Sequence, residues 1–283
     1  MTSKIIDIHP HIITTDEQRY PRIPLGGKPS TWSQSRPTTW EQLLAAMDDA
    51  GVEKAAIVQS STCYGFDNSY VADAVAARPD RFTGVFSVDM LAKDAPEKVR
   101  YWHERGLTGL RLFTTGSTMP GQSDILADPR TFPAWEAARD LGMTVCVQMR
   151  PEGLSMLQTL MDKFPTVRII IDHFMSVPVE SGPPYAGAAP LMSLANNPNI
   201  YLKLSTVALR AAHKGLCTPE TFIGMVASQF GAKRIAWGSN FPASTGSLRE
   251  MVQESQQDLA FMTPADLSAV FRETALSLYP ALR

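Results

Sequence analysis

The sequence of 283 residues is poor in cysteine, in long apolar runs and in excess charge of either sign. Its three cysteines, Cys63, Cys146 and Cys217, are odd in number, widely separated and without the paired spacing of a metal site, which argues against a disulfide framework. No stretch reaches the roughly 18 consecutive apolar residues of a membrane helix. The first residues also lack an apolar segment long enough for a signal peptide, so we expect a cytoplasmic protein with no membrane partner.

The balance of charge limits the choice of partners. Lysine and arginine number 26 against 28 aspartates and glutamates, which gives a formal net charge of −2. Nucleic acids and anionic membranes attract strongly basic proteins, so neither is expected as the main partner. With 44% hydrophobic and 19% charged residues, the chain can bury a large core. A compact enzyme or a small-molecule binding protein is the expected class.

Two further features are missing. No linker rich in Pro, Gly and Ser divides the chain, which predicts that residues 1–283 form one domain. No glycine-rich phosphate loop follows the first predicted strand. Because an open doubly wound sheet most often carries such a loop there, its absence argues against that fold.

Eight short apolar runs rich in β-branched residues predict strands that are buried on both faces. Segments with helical spacing separate them and stop near a Gly or Pro, as at Gly51 and Pro79. Strict alternation of strand and helix implies parallel pairing, and eight such units close into a (β/α)8 TIM barrel, with the open doubly wound sheet as the alternative. The predicted strands cover residues 5–8, 55–58, 82–88, 109–113, 145–149, 168–171, 200–204 and 234–237.

The first long helix begins with a capping-box pattern. Thr38 precedes Glu41 by three residues, ahead of apolar residues at helical spacing. Gly51 ends this helix. The other predicted helices cover residues 68–77, 95–105, 132–141, 153–164 and 219–230.

Three loops after predicted strands are longer than barrel closure requires, at residues 12–37, 114–128 and 175–185. Active sites of such barrels lie at the C-terminal ends of the strands, so these loops are predicted to form the walls or lids of a site. A tolerated surface insertion is an equal alternative for the first loop, whose bulky residues are Arg19, Tyr20, Arg22 and Trp32.

The histidines indicate where that site lies. His9 and His11 stand two residues apart at the end of the first predicted strand, so they should share one side while Ile6 and Ile8 face the other. His173 follows the sixth predicted strand and should lie on the same barrel face. Three neutral imidazoles around one point can hold Zn²⁺ or a similar ion and leave a position for water. For His9 and His11 alone, a hydrogen-bonded pair near a strand end is the alternative.

Motifs at the ends of several predicted strands resemble those of a known family. His-X-His follows strand one, Asp-His at residues 172–173 follows strand six, and Gly-Ser-Asn-Phe-Pro at residues 238–242 follows strand eight. Leu-Tyr at residues 278–279 ends the last helix. Together these motifs, which span nearly the whole chain, resemble the amidohydrolase-related branch of the TIM-barrel metal-dependent hydrolases. Gln-Ser-Ser at residues 59–61 and Asp-Asn at residues 67–68 look most like the pyrone-dicarboxylate lactonases of that branch.

The resemblance implies a chemistry and a set of site residues. Members of the branch open lactones of pyrone-dicarboxylate, muconolactone or sugar-acid type, and the wider family includes decarboxylases. It implies that His9, His11 and His173 surround one divalent ion, Zn²⁺ or Mn²⁺, or act on the substrate without a metal. Where this chain has Asn240, the family usually has an Asp that orients water and takes its proton, and an amide can do only the first. His173, His9 and Asp89 are the candidate replacement bases.

Two cations interrupt predicted strands, Arg111 in the fourth and Lys203 in the seventh. An unpaired buried cation is costly, so each needs a carboxylate partner or an anionic ligand. Because guanidinium binds carboxylate in bidentate fashion, these cations favour a carboxylated small-molecule substrate. Internal pairing with Asp89, Asp172 or Glu180 is the alternative. The further residues predicted to contact substrate are Ser60, Tyr64, Gln148 and Arg150.

These features predict a hydrolase that opens a carboxylated lactone, or a related cyclic ester or amide, by attack of water. A decarboxylase that uses the same site is a second hypothesis, and release of CO₂ separates the two. A third hypothesis, motivated by Asn240, is a barrel without hydrolytic activity that serves as a ligand-binding or partner subunit. No exposed apolar stripe assigns an oligomeric state.

Overall fold

The computed structural model describes residues 4–114 and 125–283. Within them, eight strands form one parallel sheet in which each strand pairs with the next along the chain. Every predicted strand is present, and the predicted TIM barrel is confirmed. The strands are β1 (Ile5–Asp7), β2 (Val52–Val58), β3 (Phe82–Phe86), β4 (Gly109–Phe113), β5 (Thr144–Gln148), β6 (Arg168–Ile171), β7 (Ile200–Ser205) and β8 (Ile235–Gly238).

Contacts between the two terminal strands bring the sheet round into a nearly closed barrel. The N–H of Ile8 donates to the carbonyl of Trp237 over 3.2 Å. The carboxylate of Asp7 accepts the N–H groups of His9 and Ser239 over 2.9 and 2.8 Å. Asp7 therefore holds together the segments that follow β1 and β8.

The first strand is one residue shorter than predicted, and backbone contacts beyond its end position His11. β1 ends at Asp7, and the chain bends at Ile8. The predicted strand over residues 5–8 is thus one residue too long, but His9 and His11 share one side as expected, with their ring centroids 4.9 Å apart. His11 is placed by its backbone N–H, which donates to the carbonyl of Phe241 over 2.7 Å.

Helices lie between the strands, and each predicted helix is present within two residues of its predicted ends. A π-helix, Ala269–Glu273, leads into the last α-helix. The α-helices of the described chain are α1 (Thr31–Ser35), α2 (Trp40–Ala50), α3 (Ser61–Tyr64), α4 (Ser69–Ala77), α5 (Ala95–Glu104), α6 (Phe132–Asp140), α7 (Leu154–Lys163), α8 (Ala189–Met192), α9 (Thr206–Ala211), α10 (Pro219–Phe230), α11 (Leu248–Asp258), α12 (Pro264–Ser268) and α13 (Thr274–Leu278).

The capping box of α2 lies one residue later than predicted. The Thr39 hydroxyl accepts the N–H of Gln42 over 3.3 Å, and Gln42 Oε1 accepts the N–H of Thr39 over 2.8 Å. Thr38 is engaged elsewhere, because its carbonyl accepts the N–H of Ile13 over 2.7 Å and its hydroxyl donates to the carbonyl of Arg36 over 3.3 Å. Two capping patterns overlap in the sequence here, and a contact with the first long loop selects the second.

The C-terminal segment closes the end of the barrel at which the strands begin. Thr144, the first residue of β5, donates from its hydroxyl to the carbonyl of Leu278 over 2.8 Å. Tyr279 is fully buried, and its hydroxyl lies 3.4 Å from Cys146 Sγ inside the same strand. A site is therefore restricted to the other end of the barrel, where the strands finish.

Two of the three long loops contribute to a cavity at that end. Residues 12–37 supply Trp32 and residues 175–185 supply Ser176, as predicted for loops that form walls. Of the third loop, residues 115–124 lie outside the described residues. In the described chain, the helices are all too short or too polar to span a lipid bilayer.

Candidate active site

Lys203, on β7, determines the tautomer of His9. Its ammonium lies 2.8 Å from His9 Nδ1 and 2.7 Å from Asp172 Oδ1, and the side chain is fully buried. An ammonium paired with a carboxylate only donates, so Nδ1 of His9 accepts. Burial, and then the charges of Lys203 and Arg111, hold the pKa of His9 well below its ordinary value, so the ring is neutral at pH 7. Its one proton is therefore on Nε2, a buried atom without a hydrogen-bond partner in the described chain.

His11 has the opposite tautomer. Its Nδ1 lies 2.8 Å from the carbonyl oxygen of Val58 at the end of β2. A carbonyl has no proton to give, so Nδ1 donates and Nε2 carries the lone pair. Burial, and then the charge of Arg111, lower the pKa of His11 to about 3. The rings of His9 and His11 lie 4.9 Å apart between centroids, so a donor and an acceptor stand side by side.

His173 joins this pair from the segment that follows β6. Its ring centroid lies 4.8 Å from that of His9. Its Nδ1 lies 2.7 Å from the hydroxyl oxygen of Ser205, the last residue of β7. Burial lowers the pKa of His173 to about 4, although the neighbouring Asp172 opposes this shift. All three predicted histidines are thus neutral and adjacent at neutral pH.

Asp172 pairs with both buried cations. Its Oδ2 lies 2.7 Å from Arg111 Nε, and its Oδ1 lies 2.7 Å from Lys203 Nζ. Arg111 also donates from Nη2 to Gln148 Oε1 over 2.5 Å. Burial would raise the pKa of Asp172, but the two cations hold it well below its ordinary value. Of the internal partners considered, Asp172 is the one present. It faces two positive charges, so the group of Arg111, Lys203 and Asp172 by itself carries one positive charge, and the buried carboxylate of Asp7 also interacts with Lys203.

A chain of hydroxyl groups fixes the side chain of Asn240. Thr206 Oγ1 donates to the carbonyl of Ser239 over 2.7 Å, which commits its proton. Ser244 Oγ lies 2.7 Å from Thr206 Oγ1 and therefore donates to it. Ser244 in turn accepts from Nδ2 of Asn240 over 3.0 Å. Every proton of the chain is assigned, and Oδ1 of Asn240 is left as an acceptor for a ligand.

These groups surround a cavity of about 360 Å³ at the C-terminal ends of the strands. Trp32 covers one side, with its ring centroid 5.2 Å from that of His11. The hydroxyl of Ser60 is buried and has no hydrogen-bond partner in the described chain. His9 and Lys203 lie outside the lining, fully buried against it. The predicted site residues that line the cavity are His11, Ser60, Arg111, Gln148, His173 and Asn240.

Three other residues considered in the sequence lie away from this lining. Tyr64 is buried, and its hydroxyl accepts the N–H of Thr14 over 2.9 Å. Arg150 is exposed. Asp89 is exposed too, and its carboxylate accepts the N–H of Leu91 over 3.0 Å. Contact of Tyr64 and Arg150 with substrate stays a prediction, and Asp89, a candidate base, is not among the residues that line the cavity.

Sequence reasoning missed the three hydroxyl residues that hold His173 and Asn240 in place, Ser205, Thr206 and Ser244. The first two come directly at the end of β7, so the rule that residues at strand ends reach the barrel mouth could have found them. Ser244 lies in the loop after β8, in a stretch without periodicity. No sequence signal marks it.

One group of three potential metal ligands is present in the described chain, and it differs from the predicted set. Ligand atoms of His9, Asp172 and His173 lie within 4.8 Å of one another, whereas His11 is not part of the group. The ammonium of Lys203 already contacts both His9 and Asp172. The other nitrogen of His9 carries a proton, and a divalent ion would add to an existing positive surplus. These donors therefore do not fit a divalent ion while Lys203 is charged.

Comparison with known proteins identifies the family. A family model for amidohydrolases matches residues 6–281. The chain belongs to the amidohydrolase family. This amidohydrolase is 32% identical over 213 residues to an L-fucono-1,5-lactonase of Burkholderia ambifaria, a match that covers 74% of this chain and 70% of the relative. It is 27% identical over 219 residues to a 4-sulfomuconolactone hydrolase of Rhizobium radiobacter, with 75% and 71% covered. The chain is thus a lactonase-like enzyme of the amidohydrolase superfamily, as the motifs predicted.

Solved structures share the fold of this amidohydrolase. A putative 2-pyrone-4,6-dicarboxylic acid hydrolase of Pseudomonas putida superposes with a TM-score of 0.78 at 20% identity, covering 99% of both chains. A zinc-bound amidohydrolase of Burkholderia multivorans has a TM-score of 0.76 at 18% identity, covering 98% of this chain and 99% of that one. A manganese-bound dihydroxybenzoic acid decarboxylase of Polaromonas has a TM-score of 0.70 at 17% identity, covering 100% and 98%. At these identities the likeness concerns the fold.

Proposed function

We propose that this amidohydrolase opens a lactone that carries a carboxylate, by attack of water on the ring carbonyl. The observation that carries the proposal is the pair of contacts made by the two Nδ1 atoms, with the ammonium of Lys203 on His9 and the carbonyl of Val58 on His11. These contacts assign opposite tautomers, with a donor on Nε2 of His9 and an acceptor on Nε2 of His11. Ester hydrolysis needs both, a donor for the carbonyl oxygen and an acceptor for the proton of water. The two relatives named as lactone hydrolases support the same reaction class.

The position and charge of Arg111 favour a substrate that carries a carboxylate. It lines the cavity, and its buried ion-pair group with Lys203 and Asp172 carries one positive charge in excess. Uncompensated charge in a buried site is costly, and an anionic ligand removes that cost. The guanidinium uses Nε on Asp172 and one N–H of Nη2 on Gln148, which leaves further N–H groups for a carboxylate.

Two unsatisfied buried atoms support binding of the carbonyl oxygen. His9 Nε2 and Ser60 Oγ are both buried and both without a partner in the described chain. Buried polar groups of native proteins nearly always have a partner. Ser60 lines the cavity, and the ring of His9 lies beside those of His11 and His173, which line it, so both unpaired atoms favour a ligand there. As water attacks, the carbonyl oxygen becomes negatively charged, and donors fixed beforehand stabilise that charge.

Asn240 and His11 receive the water. Oδ1 of Asn240 accepts one hydrogen bond and orients the molecule, and Nε2 of His11 accepts the second. The water oxygen bonds to the carbonyl carbon while its proton passes to His11. The ring C–O bond then breaks, and His11 returns the proton to the departing alkoxide. The proposed steps use donors and acceptors of the chain itself.

A substrate panel tests the proposal. Purified enzyme is incubated with 2-pyrone-4,6-dicarboxylate, 4-sulfomuconolactone and L-fucono-1,5-lactone, and with the carboxamide of each carboxylated lactone. We expect the ring-opened acid by NMR and mass spectrometry, with a higher kcat/KM for each carboxylate than for its carboxamide. Release of CO₂ in place of ring opening would assign a decarboxylase. Binding of these compounds without turnover would instead indicate that the protein is a ligand-binding barrel without hydrolytic activity.

A further inference from the structure

A second cavity of about 320 Å³ adjoins the first, and three residues line both of them: His173, Ser176 and Val207. We propose that this second cavity is a substrate subsite that takes an uncharged apolar substituent on the lactone. The proposal rests on the proposed function, since the lactone ring must occupy the first cavity. The substrate class it defines is an amphiphilic lactone, anionic at one end and apolar at the other.

Most residues that line the second cavity are apolar, and the charged ones, Glu180 and Lys214, lie on its outer wall. Phe174, Val177, Val179 and Phe222 are buried and line it. On the opposite side, α9 presents small side chains, including Ala211, which leave the space open. Nearly every wall of the first cavity carries a polar group, so the two cavities differ in the chemistry that they accept.

Val207 lies between the two cavities and is 40% exposed. It is the second residue of α9, so it stands beside the polar mouth of the first cavity. An apolar substituent that passes from one cavity to the other would cover this side chain and remove apolar surface from water. Val207 therefore gives the substituent an apolar contact at the junction, where His173 and Ser176 form the other side.

Two backbone contacts to Glu180 hold the outer wall of the second cavity in place. The N–H of Leu216 donates to the carbonyl of Glu180 over 2.8 Å. Gly215 packs so closely on the same carbonyl that a Cβ there would lie 2.2 Å from the oxygen, and its φ is 60°. Glu180 and Lys214 both line the cavity and carry opposite charges. The wall therefore offers no surplus charge, which favours an uncharged occupant.

An unusual turn separates the cavities. His173, Phe174, Met175 and Ser176 all have left-handed backbones, with φ values of 51°, 53°, 59° and 49°. L residues other than Gly rarely adopt this conformation, and strained backbone of this kind gathers at ligand sites. The turn places both His173 and Ser176 at the boundary between the two cavities.

Binding of unreactive analogues tests the subsite without requiring turnover. Tetrahydropyran carboxylates that carry hydrogen, ethyl, butyl or hexyl are titrated calorimetrically into wild type, Ala211→Trp and the matched control Ala211→Ser. In wild type and the control we expect affinity to rise by about fourfold per buried methylene. In Ala211→Trp the indole fills the cavity, so the gain disappears while affinity for the unsubstituted carboxylate is unchanged. Ala208→Leu replaces the Trp variant if thermal unfolding shows that the latter is misfolded.

An affinity that does not depend on chain length in wild type overturns the subsite, as does an equal gain in the variant with the filled cavity. Neither result affects hydrolysis of small lactones, which the substrate panel measures separately. Conversely, a chain-length gain together with no hydrolysis of any lactone would leave the subsite standing and remove the proposed reaction.

Discussion

Lys203 Nζ lies 2.8 Å from His9 Nδ1, and both side chains are fully buried. Lys203, on the seventh strand, thereby determines which ring nitrogen of His9 carries the proton. Because the same ammonium pairs with Asp172, and Asp172 with Arg111, the tautomer of His9 and the charge of the cavity depend on one buried group.

Lys203→Met should release His9 from its tautomer. We expect ¹⁵N NMR of the histidines to show loss of the pure Nε2–H form, and kcat to fall by about 10²-fold or more, as for loss of an oxyanion donor. Removal of one partner of a buried ion pair costs about 3–5 kcal/mol, and urea unfolding measures it. Lys233→Met, at an exposed lysine, is the control. Unchanged His9 resonances together with an unchanged rate would contradict the assigned role.

Arg111→Met should discriminate between substrates. Loss of a charge-assisted hydrogen bond costs about 1.5–3 kcal/mol, so kcat/KM for a carboxylated lactone should fall by about 10 to 150-fold. The carboxamide of the same lactone should lose much less, because it has no charge for the guanidinium to balance. An equal decrease in kcat/KM for both substrates would mean that Arg111 stabilises the fold of the site and does not bind the substrate carboxylate.

Asn240→Ala should lose the orientation of one water, at a cost of about 1–3 kcal/mol in the barrier. Asn240→Asp has a different effect, because a carboxylate has no proton to give to Ser244. The chain of hydroxyls must then reverse, and the carbonyl of Ser239 loses its donor from Thr206. We expect a loss of about 1 kcal/mol in unfolding free energy that disappears in a Thr206→Val background. Strictly additive effects in this double-mutant cycle would rule out the assigned proton order.

Removal of metal should leave the reaction intact. The ammonium of Lys203 contacts two of the three potential ligands, His9 and Asp172, and its charge opposes a divalent cation beside them. Elemental analysis of purified enzyme should find only traces of zinc and manganese, and dialysis against a chelator should leave kcat unchanged. About one ion per chain, with activity that is lost on chelation and restored by Zn²⁺ or Mn²⁺, would contradict this prediction. It would mean that a metal ion displaces the ammonium of Lys203 from His9 and Asp172.

Stability should fall as the pH drops below about 6.5, the ordinary pKa of histidine. Burial lowers the pKa of His173 to about 4 in the folded state. As the pH falls from about 6.5 to about 4, the unfolded chain is protonated at this residue while the folded protein is not, so the free energy of unfolding decreases. His173→Gln should reduce the slope of unfolding free energy against pH by up to about 1.4 kcal/mol per pH unit in this window. Burial raises the pKa of Asp7 to about 6, which has the opposite effect on the pH dependence of stability. The measurement is therefore the difference between the unfolding free energies of wild type and His173→Gln at each pH. Parallel curves would contradict the neutral, buried state of His173.

The sequence predicted which residues reach the mouth of the barrel better than it predicted how they act there. His11, His173 and Asn240 line one cavity because the chain alternates strands and helices, and parallel strands all end on one face. The first strand ends at Asp7, one residue before its predicted end, because a bend follows that residue. A local pattern says where a strand runs, but the end of a strand depends on its neighbours.

The sequence by itself determined the eight buried strands, the helices between them and the face on which the site lies, because these follow from local periodicity and from the parallel order of the strands. Only the tertiary structure decided the chemistry of that face. His9 and Lys203 are separated by 194 positions, and Arg111 and Asp172 by 61. Proton positions, ion-pair partners and the second cavity depend on distances of a few ångströms between such remote residues, and no local pattern in the chain encodes them.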